Sequence, residues 1–209
     1  MLNDPKEITY ENIIESGNKL CIGHSIAYSL HISGHYFVAY VSSPIRYVWV
    51  NLNLCKVNIY YEDGAVVSWI SSFFDAYITQ YGISISSDGE FIFAQTWENG
   101  LYCFSCRTGE KIWRTKSKSA VKNIYVNDKT ICINRQDKRL ELLEITTGEV
   151  ISERKITICE FFPVDFRRFM CRTTSKKWEI IDSATLETTD TFSNDDTESV
   201  RSWFSIFYA

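Results

Sequence analysis

A repeat of about forty residues is the feature of this chain that most constrains its fold. Three segments share one pattern and read "LYCFSCRTGEKIW", "LELLEITTGEVIS" and "WEIIDSATLETTD". Their aligned threonines, Thr108, Thr147 and Thr185, are 39 and 38 residues apart. A constant spacing of this size is typical of arrays, in which each unit is one supersecondary element and neighbouring units bury each other's apolar faces.

Each repeat unit predicts about four short strands. The earlier half of each unit, at 82–96, 121–135 and 158–172, reads strand, tight turn, strand. Asp, Asn and Gly stand at two of these turns, where they favour a tight reversal of the backbone. Four strands in roughly forty residues is the size of one β-propeller blade. The sequence therefore predicts an all-β protein built from four-stranded blades.

A fourth, less regular unit lies upstream of the three. "SLHISGHYFVAYVSS" at 29–43 matches the first half and "VNIYYEDGAVVSW" at 57–69 matches the second half, which leaves 44–54 as an insertion. The segments 7–23 and 199–209 have strand character but no partner within a unit. An open array exposes unpaired strand edges, so we expect the N- and C-terminal strands to pair and close the ring.

The prediction is thus a small single-domain β-propeller over residues 1–209, with about five four-stranded blades. Its repeat units are 25–70 with the insertion 44–54, then 77–119, 120–157 and 158–195, and the closing blade is 1–24 plus 196–209. A length of 209 residues suits one domain. An aromatic content of 15% favours strands over helices.

"LYCFSCRTGEKIW" resembles the repeat of quinoprotein-type β-propellers, whose consensus is Ala-x-Asp-x-x-Thr-Gly-x-x-x-Trp. The chain keeps Thr108, Gly109 and Trp113, but Cys103 and Ser105 stand at the Ala and Asp positions. "SISSDGEFIFA" separately resembles the inner strands of WD-type repeats. The resemblance extends over 82–192, and it implies that the tryptophan packs as a wedge between neighbouring blades. It implies no activity.

The later copies of this motif depart from the consensus. The second copy keeps Thr147 and Gly148 but has Ser152 at the tryptophan position. The third copy has Leu186 and Asp190 in place of glycine and tryptophan. Quinoprotein dehydrogenases commonly carry two adjacent cysteines beside their quinone. The chain has no adjacent cysteine pair, so we expect no quinone and no other cofactor.

Three histidines, His24, His31 and His35, follow Cys21 at a spacing that superficially suggests a zinc site. On a strand, alternation separates His31 from the apolar residues on either side of it. We therefore interpret the three as surface or turn histidines and expect no metal site and no histidine-based catalysis.

Cys103 and Cys106 form a CxxC pair, which could be redox-active at the start of a helix. On a strand, the two positions point to opposite faces, so we predict two separate packing cysteines. The total of seven cysteines is odd and their spacing is irregular, which favours reduced, mostly buried thiols.

Charge and hydropathy indicate a soluble, cytoplasmic protein. Asp4, Glu7 and Glu11 stand where a signal peptide needs a basic start, and no apolar stretch approaches the roughly 18 residues of a membrane span. The formal net charge of −4 supplies no general field for phosphates, so nucleic acid is an unfavourable partner.

Two groups of residues are candidates for contact with another protein. The insertion carries residue types that are enriched at binding hot spots, and the stretch 110–122 concentrates basic residues. The candidate partner-binding residues are Arg46, Tyr47, Trp49, Lys111, Arg114 and Lys116. An alternative for the insertion is that Tyr47, Trp49 and Leu52 extend a strand and pack inward, because the alternation of Tyr47 and Trp49 with Val48 and Val50 fits a strand as well.

The sequence favours a non-catalytic protein-binding module, for example an immunity-type inhibitor that neutralises a protein toxin in the cytoplasm. It contains no Gly-rich phosphate loop, GxSxG or HExxH motif, and we predict no catalytic residue. Asp63 and Asp88 precede glycines and are interpreted as turn residues. Two alternatives stay open: a propeller hydrolase that acts on a carbohydrate or related small substrate through channel carboxylates, and a structural subunit of a larger assembly.

Overall fold

The computed structural model of the chain describes residues 5–22, 25–32, 34–41, 43–51, 54, 56–70, 78–86, 88–96, 100–115, 119–164, 167–173 and 177–193. These residues form an all-β protein with a short 3-10 turn at Pro5–Glu7 and one α-helix, α1, at Tyr10–Ser16. Within these ranges no helix has the length and hydropathy that a membrane crossing requires.

The first sheet has six antiparallel strands that follow one another in chain order. They are β1 (Asn18–Ile22), β2 (Ser25–Ile32), β3 (His35–Val41), β4 (Ile45–Asn51), β5 (Lys56–Tyr61) and β6 (Val66–Ile70). Every neighbour in this sheet is also the neighbour in sequence, so the sheet is a simple meander.

Three four-stranded meanders follow. The second sheet contains β7 (Ile78–Ile85), β8 (Phe91–Thr96), β9 (Leu101–Ser105) and β10 (Lys111–Arg114). The third contains β11 (Val121–Val126), β12 (Thr130–Arg135), β13 (Arg139–Glu144) and β14 (Val150–Lys155). The fourth contains β15 (Ile158–Pro163), β16 (Arg168–Thr173), β17 (Lys177–Asp182) and β18 (Thr188–Ser193). Strand β7 lies beside β11, and β1 lies beside β15.

The first repeat unit has a different frame from the predicted one. The Glu62 N–H donates to the Pro44 carbonyl at 3.0 Å, in the same way that Cys106 donates to Glu90 at 2.8 Å. This bridge aligns β3–β6 with β7–β10, so the segment 44–54 is not an insertion but supplies β4, the second strand of the unit. Strand–turn–strand patterns look alike in sequence. The turn between β2 and β3 was therefore assigned to the first half of a repeat unit, although the unit begins only at β3.

The prediction of about five blades in a closed ring was wrong, because the described residues form four sheets that do not close. The N-terminal strand β1 pairs with β2 and thereby extends the first sheet instead of starting a separate blade. The backbone groups along the edge of β2 thus find their hydrogen-bond partners in β1, a strand that is adjacent in sequence, and need no strand from the C-terminal end of the chain. The predicted C-terminal closing strand at 199–209 lies outside the described residues.

The expectation of continuous strand character over 7–23 was also wrong. Thr9 caps α1: its side chain accepts from the Asn12 N–H, and the Asn12 side chain accepts from the Thr9 N–H at 3.1 Å. This reciprocal pair is a capping box, which stabilises a helix start. The helix buries Ile13 against Phe37 and Ala39 on the first sheet.

Three apolar layers hold the four sheets together. The first layer joins the first and second sheets and contains Val48, Ile59 and Ile92 among others. The second layer joins the second and third sheets, and the third layer joins the third and fourth. Cross-strand partners share a face of a sheet, so the second and third sheets each present one face to the preceding sheet and the other to the next.

Tryptophan and glycine meet in the first two layers. Trp69 at the end of β6 lies over the turn between β9 and β10, and a Cβ built on Gly109 would stand 2.5 Å from its ring. Trp113 on β10 lies over the next turn in the same way, 2.6 Å from a Cβ on Gly148. The wedge that the family resemblance implies for Trp113 is therefore present.

The indole N–H groups complete these two contacts. Trp69 Nε1 donates to the Cys106 carbonyl at 3.1 Å, and Trp113 Nε1 donates to the Ile145 carbonyl at 2.9 Å. Both glycines have left-handed φ values, +71° at Gly109 and +70° at Gly148. The ring of each tryptophan is thus buried, and its indole N–H has a hydrogen-bond acceptor.

The third layer uses other residues at the same positions. Leu186 occupies the glycine position, keeps a left-handed φ of +62° and is 3% exposed. Ser152 stands at the tryptophan position. Arg154, two residues further along β14, donates to the Leu186 carbonyl at 3.0 Å and to Glu179 at 2.8 Å. The buried Leu186 side chain and these hydrogen bonds of Arg154, which we call the arginine clamp, therefore replace the indole.

Candidate functional site

The candidate site is the face of the first sheet that is turned away from the second sheet. The register pairs Tyr47 with Tyr60, and Tyr60 with Val66, so these side chains share a face with Trp49 on β4 and Ile70 on β6. We call the apolar and aromatic residues of this face, Tyr47, Trp49, Tyr60, Val66 and Ile70, the open face; the polar residues Asn51, Lys56, Asn58 and Ser68 lie among them in the same register. Val66 is 54% exposed and Ile70 is 74% exposed, and no described sheet packs against them.

Helix α1 covers the rest of the same face, next to β2 and β3. Its Tyr10, Ile13 and Ile14 pack with Phe37 and Ala39. The hydroxyl of Tyr10 donates to the Tyr40 carbonyl at 3.1 Å. The helix thus shields β2 and β3, and Tyr47 and Trp49 on β4 pack against the margin of the same apolar cluster.

Arg46 ties the helix to the open face. A bulge at Arg46 shifts the register between β4 and β5, and bulges re-aim side chains in this way. Its guanidinium lies 3.0 Å from the Glu11 carboxylate and 4.7 Å from the centre of the Tyr10 ring. Backbone and Thr9 hydrogen bonds, with Arg46, lower the pKa of Glu11. Arg46 itself is exposed and can also reach a partner.

The aromatic side chains of the open face are held in fixed positions. The Trp49 ring stacks on Phe37 at 5.8 Å, and its Nε1 donates to Nδ1 of His35 at 2.8 Å. Tyr47 stacks on Tyr60 at 4.1 Å. Burial, with the neighbouring Tyr60, raises the pKa of Tyr47 to about 12, so its phenol stays neutral. Preorganised rings of this kind lose little conformational entropy when they bind.

The alternative for this segment, that it extends a strand, is confirmed as far as its secondary structure goes. Residues 45–51 are a central strand, and Val48 and Val50 are fully buried on the side of the second sheet. Tyr47 and Trp49 are half-buried and point to the other side. A segment can thus be a strand of the sheet and still present two aromatic residues at a surface.

The basic candidates lie elsewhere. Lys111 and Arg114 are exposed on β10, opposite Phe104 and Tyr102 on β9. The Arg114 guanidinium lies 4.8 Å from the centre of the Tyr102 ring. Tyr102 belongs to the layer between the first two sheets, so this basic pair lies across the first sheet from the open face. Lys116 lies outside the described residues.

Three residues of the open face, Tyr60, Val66 and Ile70, were not predicted from the sequence. The available signal was the alternation in "VNIYY" and "VVSWI", which places Trp69 on the opposite side from Val66 and Ile70. That signal becomes useful only when 45–51 is recognised as the neighbouring strand.

The histidines and cysteines take structural places in the described part of the chain. His31 is exposed, His35 accepts from Trp49, and His24 lies outside the described residues. No group of three His, Cys, Asp or Glu side chains within the described ranges could hold a metal ion. Cys103 packs toward the third sheet and Cys106 toward the first, which confirms the prediction of opposite faces. Burial raises the pKa of the Cys103 thiol to about 12 and raises that of Cys106 further.

The buried carboxylates are engaged in ion pairs. Glu141 is 2.6 Å from Arg135, and Asp182 is 2.7 Å from Arg167. Glu179 is 14% exposed, and hydrogen bonds from Thr188 and Arg154 outweigh burial and lower its pKa. Asp63 and Asp88 accept from backbone N–H groups two residues later, as turn residues do. Where the pKa of a described carboxyl is shifted, the shift is downward, opposite to that of a general acid.

Solved structures show what this fold is similar to. BamB from Moraxella catarrhalis has a TM-score of 0.52 and 14% identity, with 85% of this chain and 50% of that chain covered. The Cps50 (Swd1) β-propeller domain from Myceliophteria thermophila has a TM-score of 0.57 and 13% identity, covering 87% and 73%. A chain of the mitotic checkpoint complex has a TM-score of 0.53 and 13% identity, covering 73% and 48%.

These similarities identify the architecture as that of WD-type and BamB-type β-propellers. The chain spans about half the length of BamB. No family model and no curated protein sequence matches the chain. At such identities the likeness concerns the fold, and function has to be argued from the surface.

Proposed function

We propose that this protein is a non-catalytic protein-binding module and that its partner docks on the open face. The observation that carries the proposal is the exposure of this face. Val66 is more than half exposed opposite Tyr60, whose ring stacks on Tyr47, and Ile70 is more than half exposed on the same face opposite Lys56. Exposed apolar groups that adjoin one another mark interaction sites, whereas single ones are ordinary.

Three further observations support a protein as the ligand. The open face is a rigid sheet surface rather than a cleft, and sheet surfaces suit another folded protein. Its residue types, tryptophan and tyrosine with an arginine at the margin, are those enriched at binding hot spots. Among the similar structures, a chain of the mitotic checkpoint complex is itself part of an assembly.

The test is affinity capture from the native cytoplasm, followed by a measured dissociation constant for the retained protein. We expect Ile70→Glu to weaken the complex at least tenfold, because it places a charge in an apolar contact. Ile70 is 74% exposed, so the variant should fold. Ile151→Glu is the matched control, since Ile151 is 57% exposed on β14 of the third sheet. Equal effects of the two variants would contradict the proposal.

The second candidate surface can be tested in the same assay. If Lys111→Ala and Arg114→Ala weaken the complex and Ile70→Glu does not, the partner docks on β10 instead. Capture at ~0.15 M and ~1 M salt separates these cases further, because salt screens exposed charges and leaves apolar contacts. A cytoplasmic setting and an immunity-type role are finer proposals that the identity of the partner would decide.

A further inference from the structure

Strand β6 differs in charge from the last strand of every other sheet. Each sheet ends at one of four outer strands, β6, β10, β14 and β18, whose far side pairs with no described strand. Three of them carry charged side chains, in "KIWR" for β10, "VISERK" for β14 and "TTDTFS" for β18. Strand β6 reads "VVSWI" and contains none. Charges on an edge strand hinder its pairing with another chain, so β6 lacks this protection.

The same three strands carry a second protection that β6 lacks. A bulge interrupts the register where β10, β14 and β18 pair with their inner neighbours. The register of β5 and β6 runs without a shift from the pair of Lys56 and Ile70 to the pair of Tyr60 and Val66. Bulges twist an edge strand and disturb its row of backbone groups, whereas a regular strand keeps that row intact. Two independent features thus mark β6 as the described outer strand that is suited to pairing.

The backbone groups that β6 offers follow from its hairpin with β5. The Tyr61 N–H donates to the Ala65 carbonyl at 2.9 Å, at the start of the ladder between the two strands. Hydrogen-bonded and non-hydrogen-bonded positions alternate in an antiparallel pair. The N–H and C=O groups of Val66, Ser68 and Ile70 therefore point away from β5. All three residues are exposed.

A second β6 that runs antiparallel about a two-fold axis fits this edge residue for residue. With the axis between the two copies of Ser68, each Ser68 lies opposite the other, and Val66 lies opposite Ile70 of the second copy. These are the residues whose backbone groups point outward, so every such pair can exchange two hydrogen bonds. Between them, Val67 lies opposite Trp69. Pairs of β-branched, aromatic and hydroxyl side chains stabilise antiparallel strands, so the sequence of β6 is its own complement.

We propose that two copies of this protein associate through their β6 strands, antiparallel about a two-fold axis at Ser68, and join their first sheets into one continuous sheet. Such a contact is isologous, which is the commonest form of homodimer. The axis is perpendicular to the sheet and keeps both open faces on the same side, where Ile70 of one copy adjoins Val66 of the other. The dimer thus presents two adjoining open faces. This inference goes beyond the proposed function and does not depend on it.

Sedimentation of the purified protein over a range of concentrations tests the dimer. We expect a reversible equilibrium between one chain and two. Ser68→Pro removes an N–H that points away from β5, so the ladder within the sheet is kept. The variant should stay monomeric at about tenfold the concentration at which the wild type dimerises, because hydrogen bonds of both copies are lost. Lys155→Pro is the matched control: Ile156 donates to Lys138, so the N–H of Lys155 points outward from β14 in the same way.

A pair of charge variants tests the position of the axis. Ser68→Lys and Ser68→Asp each place like charges opposite one another, so each variant alone should be monomeric. An equimolar mixture should dimerise again, because residue 68 of one copy then meets the opposite charge on the other. Native mass spectrometry identifies the mixed dimer, and circular dichroism verifies the fold of each variant. A mixture that stays monomeric would overturn the proposal.

Other outcomes would also overturn it. A wild-type protein that stays monomeric, or a dimer that Ser68→Pro leaves intact, would exclude pairing through β6. A monomer whose Ser68 amide is protected from hydrogen exchange would assign the edge to a segment of the same chain. A different protein that is captured by the monomeric wild type and released by Ser68→Pro would assign the edge to that protein.

The inference and the proposed function fail in different ways, because sedimentation of the purified chain involves no other protein. If the chain dimerises through Ser68 but Ile70→Glu and Ile151→Glu affect the captured partner equally, the proposed function is wrong and the dimer stands. If the wild type is monomeric and Ile70→Glu still releases the partner, the dimer is wrong and the proposed function stands.

Discussion

The contact between the second and third sheets and the contact between the third and fourth sheets join the same positions with different residues. The former places Trp113 over Gly148 with an indole hydrogen bond of 2.9 Å. The latter places Leu186 at the glycine position and Ser152 at the tryptophan position, with Arg154 bridging to Glu179. The difference teaches that the pair, rather than either residue alone, is the unit that fits two sheets together.

The tryptophan version concentrates the interface in one side chain. Trp113 lies in the second layer with Phe93 and Leu143. In the leucine version the same space is shared among an apolar side chain and two polar partners, so no single group dominates. Substitutions should therefore have larger effects in the second layer than in the third.

Trp113→Ala is expected to have the largest effect. Removing the indole leaves a cavity and an unused carbonyl at Ile145, at a cost of about 3–5 kcal/mol in the free energy of unfolding. Urea denaturation measures it. The neighbouring Ile112 is 43% exposed, and Ile112→Ala should cost less than about 0.5 kcal/mol. A loss below about 1 kcal/mol for Trp113→Ala would show that the contact does not hold the two sheets.

Gly148→Ala is the next test, because it adds a Cβ 2.6 Å from the Trp113 ring at a φ of +70°. Strain and overpacking together should cost about 2–4 kcal/mol. Gly64→Ala is the matched control, since it adds the same strain where no described atom lies within 4 Å. It should cost only about 1–2 kcal/mol. Equal losses in the two variants would assign the whole effect to the backbone.

The third test transfers the leucine version into the second layer. Trp113→Ser and Gly148→Leu should each destabilise strongly, and the double variant should be more stable than the sum of the two losses by about 1–2 kcal/mol. Leucine would then fill the space that the indole leaves, as Leu186 does in the third layer. Strict additivity in the denaturation cycle would mean that the two versions are not interchangeable.

The smallest effect concerns the arginine clamp and depends on pH. Hydrogen bonds from Thr188 and Arg154 outweigh burial and lower the pKa of Glu179 in the folded state. Its contribution is therefore fully present above the unfolded pKa of about 4.3 and is lost as the pH falls through the lowered folded pKa. Glu179→Gln should cost about 1 kcal/mol or less near pH 7, and this cost should disappear as the pH falls through the lowered folded-state pKa of Glu179. A difference that is independent of pH would exclude the charge as the cause.

The repeat could be predicted from the sequence because its turns are chemically distinctive. Thr-Gly at 108–109 and 147–148 marks left-handed turns, and Trp113 follows the first of them at the spacing of the repeat motif. The all-β class, the position of these turns between outer strands, and the opposite faces of Cys103 and Cys106 followed from that pattern.

The frame of the first unit and the number of blades could not be predicted, because both depend on which strands pair. The pattern at 29–43 fits a hairpin in any position of a meander, and only the bridge from Glu62 to Pro44 identifies β4 as the second strand. Helix α1 had a recognisable start in Thr9 and Asn12. Its seven residues are too few for an apolar periodicity to predict a helix. Its stability depends on packing against Phe37, a tertiary contact that the local sequence does not show.

The meander topology described for every sheet has a consequence for how the chain acquires its structure. Nearly every strand pairs with its neighbour in sequence, so loop closure is short and the entropic cost of forming each sheet is small. Folding can nucleate in any sheet and propagate to the next through the tryptophan–glycine contacts, as in other repeat arrays. The interface between the third and fourth sheets, which Leu186 and Arg154 join in place of an indole, would then pass order from one sheet to the next through several weaker contacts instead of one.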